Sequence, residues 1–167
     1  KFRAKHGADI NFKETMNESY ETKAAILAAK ENCDLPVLVS NAYGEDGKLM
    51  TGATPSALVA LAEGMGADAV GTNCSLGPAE MKNIVSELLS VASIPVILKP
   101  NAGLPITVDG KTVFKVGAKE FADEMIEYAK SGVRLLGGCC GTTPDYIKET
   151  VDATKDLLLK VLPYHPF

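Results

Sequence analysis

No apolar stretch in this 167-residue chain approaches the length of a membrane span; runs such as Ile94–Leu98 stop after a few residues. Basic clusters are missing too. Lys and Arg number 17 against 21 Asp and Glu, a net charge of −4 with a pI near 5.2. That balance argues against nucleic acid or an anionic membrane surface as a partner. Lys1-Phe2-Arg3 runs directly into a polar, glycine-containing stretch, so no secretory leader is expected. Histidine is scarce: His6 and His165 lie near the chain ends and read as solvated rather than metal-bound. Low-complexity segments and interdomain linkers are absent, and the Cys-x-x-Cys spacing of thiol-redox proteins does not occur. The four cysteines lack the regular spacing of a disulfide framework. They point to a reducing compartment, with the cytoplasm as the expected location, and to metal or catalytic use.

What remains is a chain long enough for one domain with a sizeable core, 46% hydrophobic and 23% charged. Five short apolar segments recur: Ala8–Phe12, Pro36–Ser40, Ala67–Gly71, Pro95–Lys99 and Val133–Gly137. Each interval is roughly the length of one strand-loop-helix-loop unit. The intervening segments have helical periodicity, with starts predicted near Tyr20, Thr54-Pro55, Pro78, Ala118 and Thr143-Pro144. Gly66 and Gly132 stand where left-handed helix caps are expected just before a strand. Near-continuous apolar strands alternating with helices predict an α/β fold with a parallel sheet. Five such units fit either an open doubly wound sheet or part of a (β/α)₈ barrel. Asp109-Gly110, flanked by Ile106-Thr107-Val108 and Thr112-Val113-Phe114, predicts a small hairpin inserted after the fourth strand.

Cysteine placement carries the chemistry. Cys74 sits just past the third predicted strand, and the pair Cys139-Cys140 just past the fifth, within Gly137-Gly138-Cys139-Cys140-Gly141. Adjacent cysteines are poor disulfide partners because a vicinal bridge strains the peptide between them. Three thiolates converging from two strand ends could hold Zn²⁺ and leave its fourth tetrahedral position open, as a catalytic site requires. Such a site would activate a thiol, because coordination deprotonates it. Cys33, just ahead of the second strand, reads as a small buried hydrophobe. Lys99 stands at a strand end, as a Schiff-base lysine would, but no acid or phosphate motif accompanies it in the sequence.

Three blocks make the pattern specific: Gly71-Thr72-Asn73-Cys74-Ser75-Leu76-Gly77-Pro78, Lys99-Pro100-Asn101-Ala102-Gly103-Leu104-Pro105 and Gly137 through Pro144. Together with Gly7–Ile10 and Glu14-Thr15-Met16 they resemble, in order, the signature blocks of the zinc-dependent homocysteine S-methyltransferase family. The resemblance implies that Cys74, Cys139 and Cys140 are zinc ligands and that homocysteine sulfur fills the fourth position. It implies that Glu14 binds the substrate ammonium and that Asn73 and Asn101 are mouth residues positioning substrate or ligands. Methyl transfer to homocysteine would give methionine. The donor is left open, since relatives use methylcobalamin (carried by another domain), betaine, S-methylmethionine or S-adenosylmethionine. The implied fold is a (β/α)₈ barrel of which residues 1–167 supply about the last five β/α units, the N-terminal units being missing. A non-catalytic half-barrel module, needing further domains or a partner chain to complete the site, is the alternative.

Overall fold

The computed structural model describes residues 6–157; the tail from Val161 to Phe167, with His165, lies outside them. Five strands form one parallel sheet: β1 (Asn11–Met16), β2 (Val37–Asn41), β3 (Ala69–Asn73), β4 (Val96–Lys99) and, after a hairpin, β7 (Leu135–Leu136). Five helices follow them in alternation: α1 (Ser19–Lys30), α2 (Pro55–Gly64), α3 (Lys82–Val91), α4 (Ala118–Ser131) and α5 (Pro144–Thr154). The strands lie in the order β1-β2-β3-β4-β7, so each new unit is added on the same side of the last. A doubly wound sheet reverses direction partway. This one does not, and the arrangement is that of a partial (β/α) barrel.

Burial identifies the two faces. The main core joins strand residues Val37, Val39, Val70, Val96 and Leu98 to helix residues such as Ile26, Leu58, Leu88, Phe121 and Met125. A second, smaller cluster consists of Leu38, Ala69 and Ile97 with Phe12 and Leu135 packed against it. All five belong to strands, so the helices cover the other, convex face. Period-two alternation along each strand separates the two sets. Above the small cluster, toward the C-terminal strand ends, the concave face turns polar with Glu14, Ser40, Asn73 and Lys99.

Local chemistry fixes the unit boundaries. Thr54 caps α2 through its side chain, with Pro55 in the first turn. Gly66 and Gly132 take positive φ (75° and 125°) between helix and strand, as expected of left-handed caps. At the bottom of the sheet Asp68 accepts the Val37 N–H at 2.7 Å and Lys30 Nζ at 2.9 Å. The hairpin pairs β5 (Ile106–Val108) with β6 (Lys111–Val113), and Asp109 and Gly110 both have positive φ, the requirement of a two-residue type I′ turn. The third helix starts at Lys82 rather than Pro78, because residues 78–81 form a turn closed by Met81 N–H to Pro78 O.

The first strand departs most from expectation. It runs from Asn11 to Met16, not from Ala8 to Phe12, and is paired with β2 from Asn11–Val37 through Met16–Asn41. Its upper half is polar because it ends in the mouth of the fold, where an apolar-run criterion cannot see it. The register slips between Lys13 and Met16, and Thr15 there has φ 61°. Such a bulge re-aims neighbouring side chains.

Candidate metal centre

Asn73 ends β3 and Cys74 follows it in the left-handed region (φ 61°), with Ser75 at φ 62°. Leu76 N–H returns to Cys74 O at 2.7 Å, closing a γ-turn of the strained hand around Ser75. Two successive non-glycine residues in this region cost about 1–3 kcal/mol each and persist only where surrounding bonds over-determine them. Those bonds come from one segment, Lys99–Ala102, which lies between the two cysteine loops. Lys99 O accepts the Cys74 N–H at 3.1 Å, and Asn101 N–H donates to Leu76 O at 3.0 Å. On the other side Pro100 O accepts the Cys139 N–H at 2.9 Å, and Ala102 N–H donates to Cys140 O at 2.9 Å. Asn101 Oδ1 accepts the Cys140 N–H at 3.0 Å. The segment thus stitches together two loops that are 66 residues apart.

The result is one sulfur cluster. The Sγ atoms of Cys74, Cys139 and Cys140 lie within 4.8 Å of one another, and those of Cys74 and Cys140 are 3.7 Å apart. A tetrahedral zinc with Zn–S bonds near 2.3 Å requires sulfur–sulfur edges of about 3.8 Å. Cys140 is exposed and the other two are half-buried, so the cluster is open to an incoming ligand. Partial burial, the Cys74 thiol and the charge of Cys139 push the Cys140 thiol up to about 11. Without a cation, three thiolates do not coexist at this spacing; a soft dication removes the conflict. The residues present therefore fit a zinc ion. Cys33 stands apart, its Sγ directed to Ala29 O at 3.5 Å.

The asparagines lie behind the sulfurs. Asn73 is fully buried, and its Nδ2 donates to Thr15 Oγ1 at 2.7 Å and approaches Cys139 Sγ at 3.8 Å. Its Oδ1 accepts from Ser40 Oγ at 2.6 Å and from Thr15 N–H at 2.9 Å. Asn101 is 3% exposed and bound to the cysteine loop as described. Glu14 is 43% exposed, and its Oε2 accepts from Lys99 Nζ at 2.7 Å across the concave face. Thr15, Ser40 and Lys99 were not among the sequence candidates for this site. Ser40 carries no motif, Thr15 lies in a block in which only Glu14 has an implied role, and the acid that partners Lys99 lies 85 residues upstream.

Asn101→Ala would leave the Cys140 N–H without its acceptor. Partners of metal ligands typically account for 10- to 100-fold in metal affinity. We expect zinc binding weakened by roughly that factor, with the circular dichroism of the folded chain retained; competition with a chromophoric chelator measures it.

Comparison with known proteins agrees with this geometry. The model of the family described as "Homocysteine S-methyltransferase" matches residues 1–154. The methionine synthase of Mycobacterium leprae (strain TN) is 36% identical over 153 residues, which are 88% of this chain. The aligned segment is only 13% of that protein's length. Among solved structures, the homocysteine methyltransferase MmuM from Escherichia coli superposes in its apo form with a TM-score of 0.74 at 24% identity, over 90% of this chain and 51% of that one. Its metallated form gives the same TM-score at 23% identity, over 91% and 47%. Strand order, the cysteine cluster and a family match over nearly the whole chain converge: this chain belongs to the homocysteine S-methyltransferase family.

Proposed function

We propose that the chain binds Zn²⁺ through Cys74, Cys139 and Cys140 and presents homocysteine sulfur for methylation to methionine. The observation that carries this reading is the sulfur triangle, with a 3.7 Å edge and a solvent-facing member. When bound, the metal supplies Lewis-acid chemistry that keeps a substrate thiol deprotonated at neutral pH. The chain's own residues do the rest. Glu14 receives the substrate ammonium, while Asn73 and Asn101 hold the cysteine loops in place and act on substrate through them. In the transfer itself a sulfur–carbon bond forms as the donor–methyl bond breaks, the thiol proton having already left to solvent. The donor comes from outside the described residues; methylcobalamin on another domain suits relatives in which this segment is a small fraction of the length. The free thiols suit a reducing compartment such as the cytoplasm, and no helix among the described residues is long and apolar enough to cross a membrane.

Residues 1–167 are on this reading the C-terminal portion of the barrel domain. A second reading rests on the sheet edges: β1 and β7 each have only one partner strand among the described residues. Unpaired edges are a liability in isolation, so further domains or a partner chain would complete the substrate pocket. Titration calorimetry in buffers of different ionisation enthalpy tests the main reading. Homocysteine binding to the zinc-loaded chain should release about one proton per thiol bound, and the zinc-free chain should give no such signal. Zinc uptake without homocysteine binding would favour the module that needs completion.

A further inference from the structure

Lys99 is placed with more constraint than a surface lysine needs. It occupies the last position of β4, in register with Asn73, and its own carbonyl holds the Cys74 N–H. Its methylenes run over Gly137, where an added Cβ would lie 3.0 Å from Cγ and 3.4 Å from Cε. Its Nζ is 5.0 Å from the centroid of the Phe12 ring and 2.7 Å from Glu14 Oε2. The side chain is 23% exposed. The strand, the glycine and the ring hold the ammonium beside the carboxylate assigned to the substrate. Glu14 is therefore already occupied when the substrate arrives.

Resting on the homocysteine reading above, we infer that Lys99 is a specificity-determining residue: it is stored on Glu14 until the substrate ammonium displaces it, and then pairs with the substrate α-carboxylate. The two charges of an α-amino acid sit on one carbon, so a cation displaced from Glu14 by the ammonium finds the carboxylate within reach. Its stem stays pinned by Gly137 and Phe12, so only the head moves. The final order of charge, Glu14–ammonium–carboxylate–Lys99, alternates in sign and leaves no charge alone. A thiol lacking the carboxylate must displace Lys99 and leave it unpaired in a partly buried place, which is costly. A thiol lacking the ammonium leaves Lys99 on Glu14 and gains nothing. The device selects an α-amino acid thiol over simpler thiols.

Calorimetry on the zinc-loaded chain with three thiols tests it: L-homocysteine, 3-mercaptopropylamine (no carboxylate) and 4-mercaptobutanoate (no ammonium). The wild-type chain should prefer homocysteine over both, by roughly 10- to 100-fold, the usual weight of a charge-assisted hydrogen bond. Lys99→Met keeps the methylenes over Gly137 and should cost homocysteine roughly that factor, while 3-mercaptopropylamine binds as well as before or better. Glu14→Gln should weaken homocysteine and 3-mercaptopropylamine and spare 4-mercaptobutanoate. Lys99→Arg should recover part of the homocysteine preference. Equal losses for all three thiols in Lys99→Met, or no loss of homocysteine, would overturn the role given to Lys99. Failure of the wild-type chain to bind any of the thiols would instead overturn the homocysteine reading, and this inference with it.

Discussion

Cys139→Ala is expected to abolish stoichiometric zinc binding at micromolar metal, while Cys33→Ala leaves it unchanged. Structural zinc sites in small peptides are worth about 10–16 kcal/mol, so one sulfur of four accounts for roughly 3–4 kcal/mol, or about 10²- to 10³-fold in Kd. The loss should exceed this estimate rather than fall short of it. Of the three sulfurs, that of Cys139 is the one approached by Asn73 Nδ2, and through Asn73 it connects to Thr15 on β1 and Ser40 on β2. Cys74→Ala should behave alike; alanine keeps the Cβ, so the backbone strain of the left-handed position is unchanged and the effect reads the lost sulfur. Metal content of dialysed protein, with a chelator competition for the weakened variants, reads the difference. Retention of one tight zinc by Cys139→Ala would remove the three-sulfur site from the account.

The second large effect concerns the sheet below the site. Gly71 lies in β3 opposite Ile97 of β4. A Cβ at Gly71 would stand 2.0 Å from the Ile97 carbonyl oxygen and 2.7 Å from its Cβ. Backbone cannot step aside here, because Val70–Val96 and Thr72–Leu98 pair on either side and the Cys74 N–H is fixed to Lys99 O. Gly71→Ala is expected to destabilise by about 4 kcal/mol or more, in the range reserved for severe core disruption. That is a large part of the roughly 5–15 kcal/mol that holds a domain together. Gly64→Ala is the matched control. Its added Cβ meets nothing within 4 Å at the end of α2, so a gain of about 0.5–1 kcal/mol is expected from helix propensity. Urea midpoints of the two variants should move in opposite directions. A wild-type midpoint for Gly71→Ala would mean that β3 and β4 are not spaced as described.

These two cases also indicate which features the sequence makes legible. β2, β3 and β4 are apolar runs buried on both faces, and their positions are readable to within one or two residues. β1 is not, because Lys13-Glu14-Thr15 forms its upper end beside the mouth and carries the polarity of a site rather than of a strand. The cysteines are recognisable because adjacent sulfurs among glycines have few structural uses. Asn73 and Asn101 stand beside strand ends in the sequence, but their direction is not legible there: hydrogen bonds turn Asn101 to the Cys140 N–H and Asn73 to Thr15 and Ser40, behind the sulfurs. The strand order that separates a partial barrel from a doubly wound sheet is likewise a property of long-range pairing. The Glu14–Lys99 pair spans 85 residues, so a strand-end lysine with no visible acid is in fact bound to one.

The stitching role of Lys99–Ala102 explains why the middle sequence block, which contains no sulfur, accompanies the two that do. It supplies five hydrogen bonds to the cysteine loops, four from its backbone and one from the Asn101 side chain. Both loops would otherwise be free to separate, and no single one of them positions all three sulfurs.

Zinc-edge X-ray absorption on the purified chain, without and with homocysteine, counts the sulfurs around the metal. A three-cysteine site with an open fourth position predicts about one zinc per chain with three protein sulfurs near 2.3 Å, rising to four sulfurs when homocysteine is added. A folded, reduced chain that holds no zinc, or one whose zinc keeps the same sulfur count in the presence of homocysteine, would contradict it.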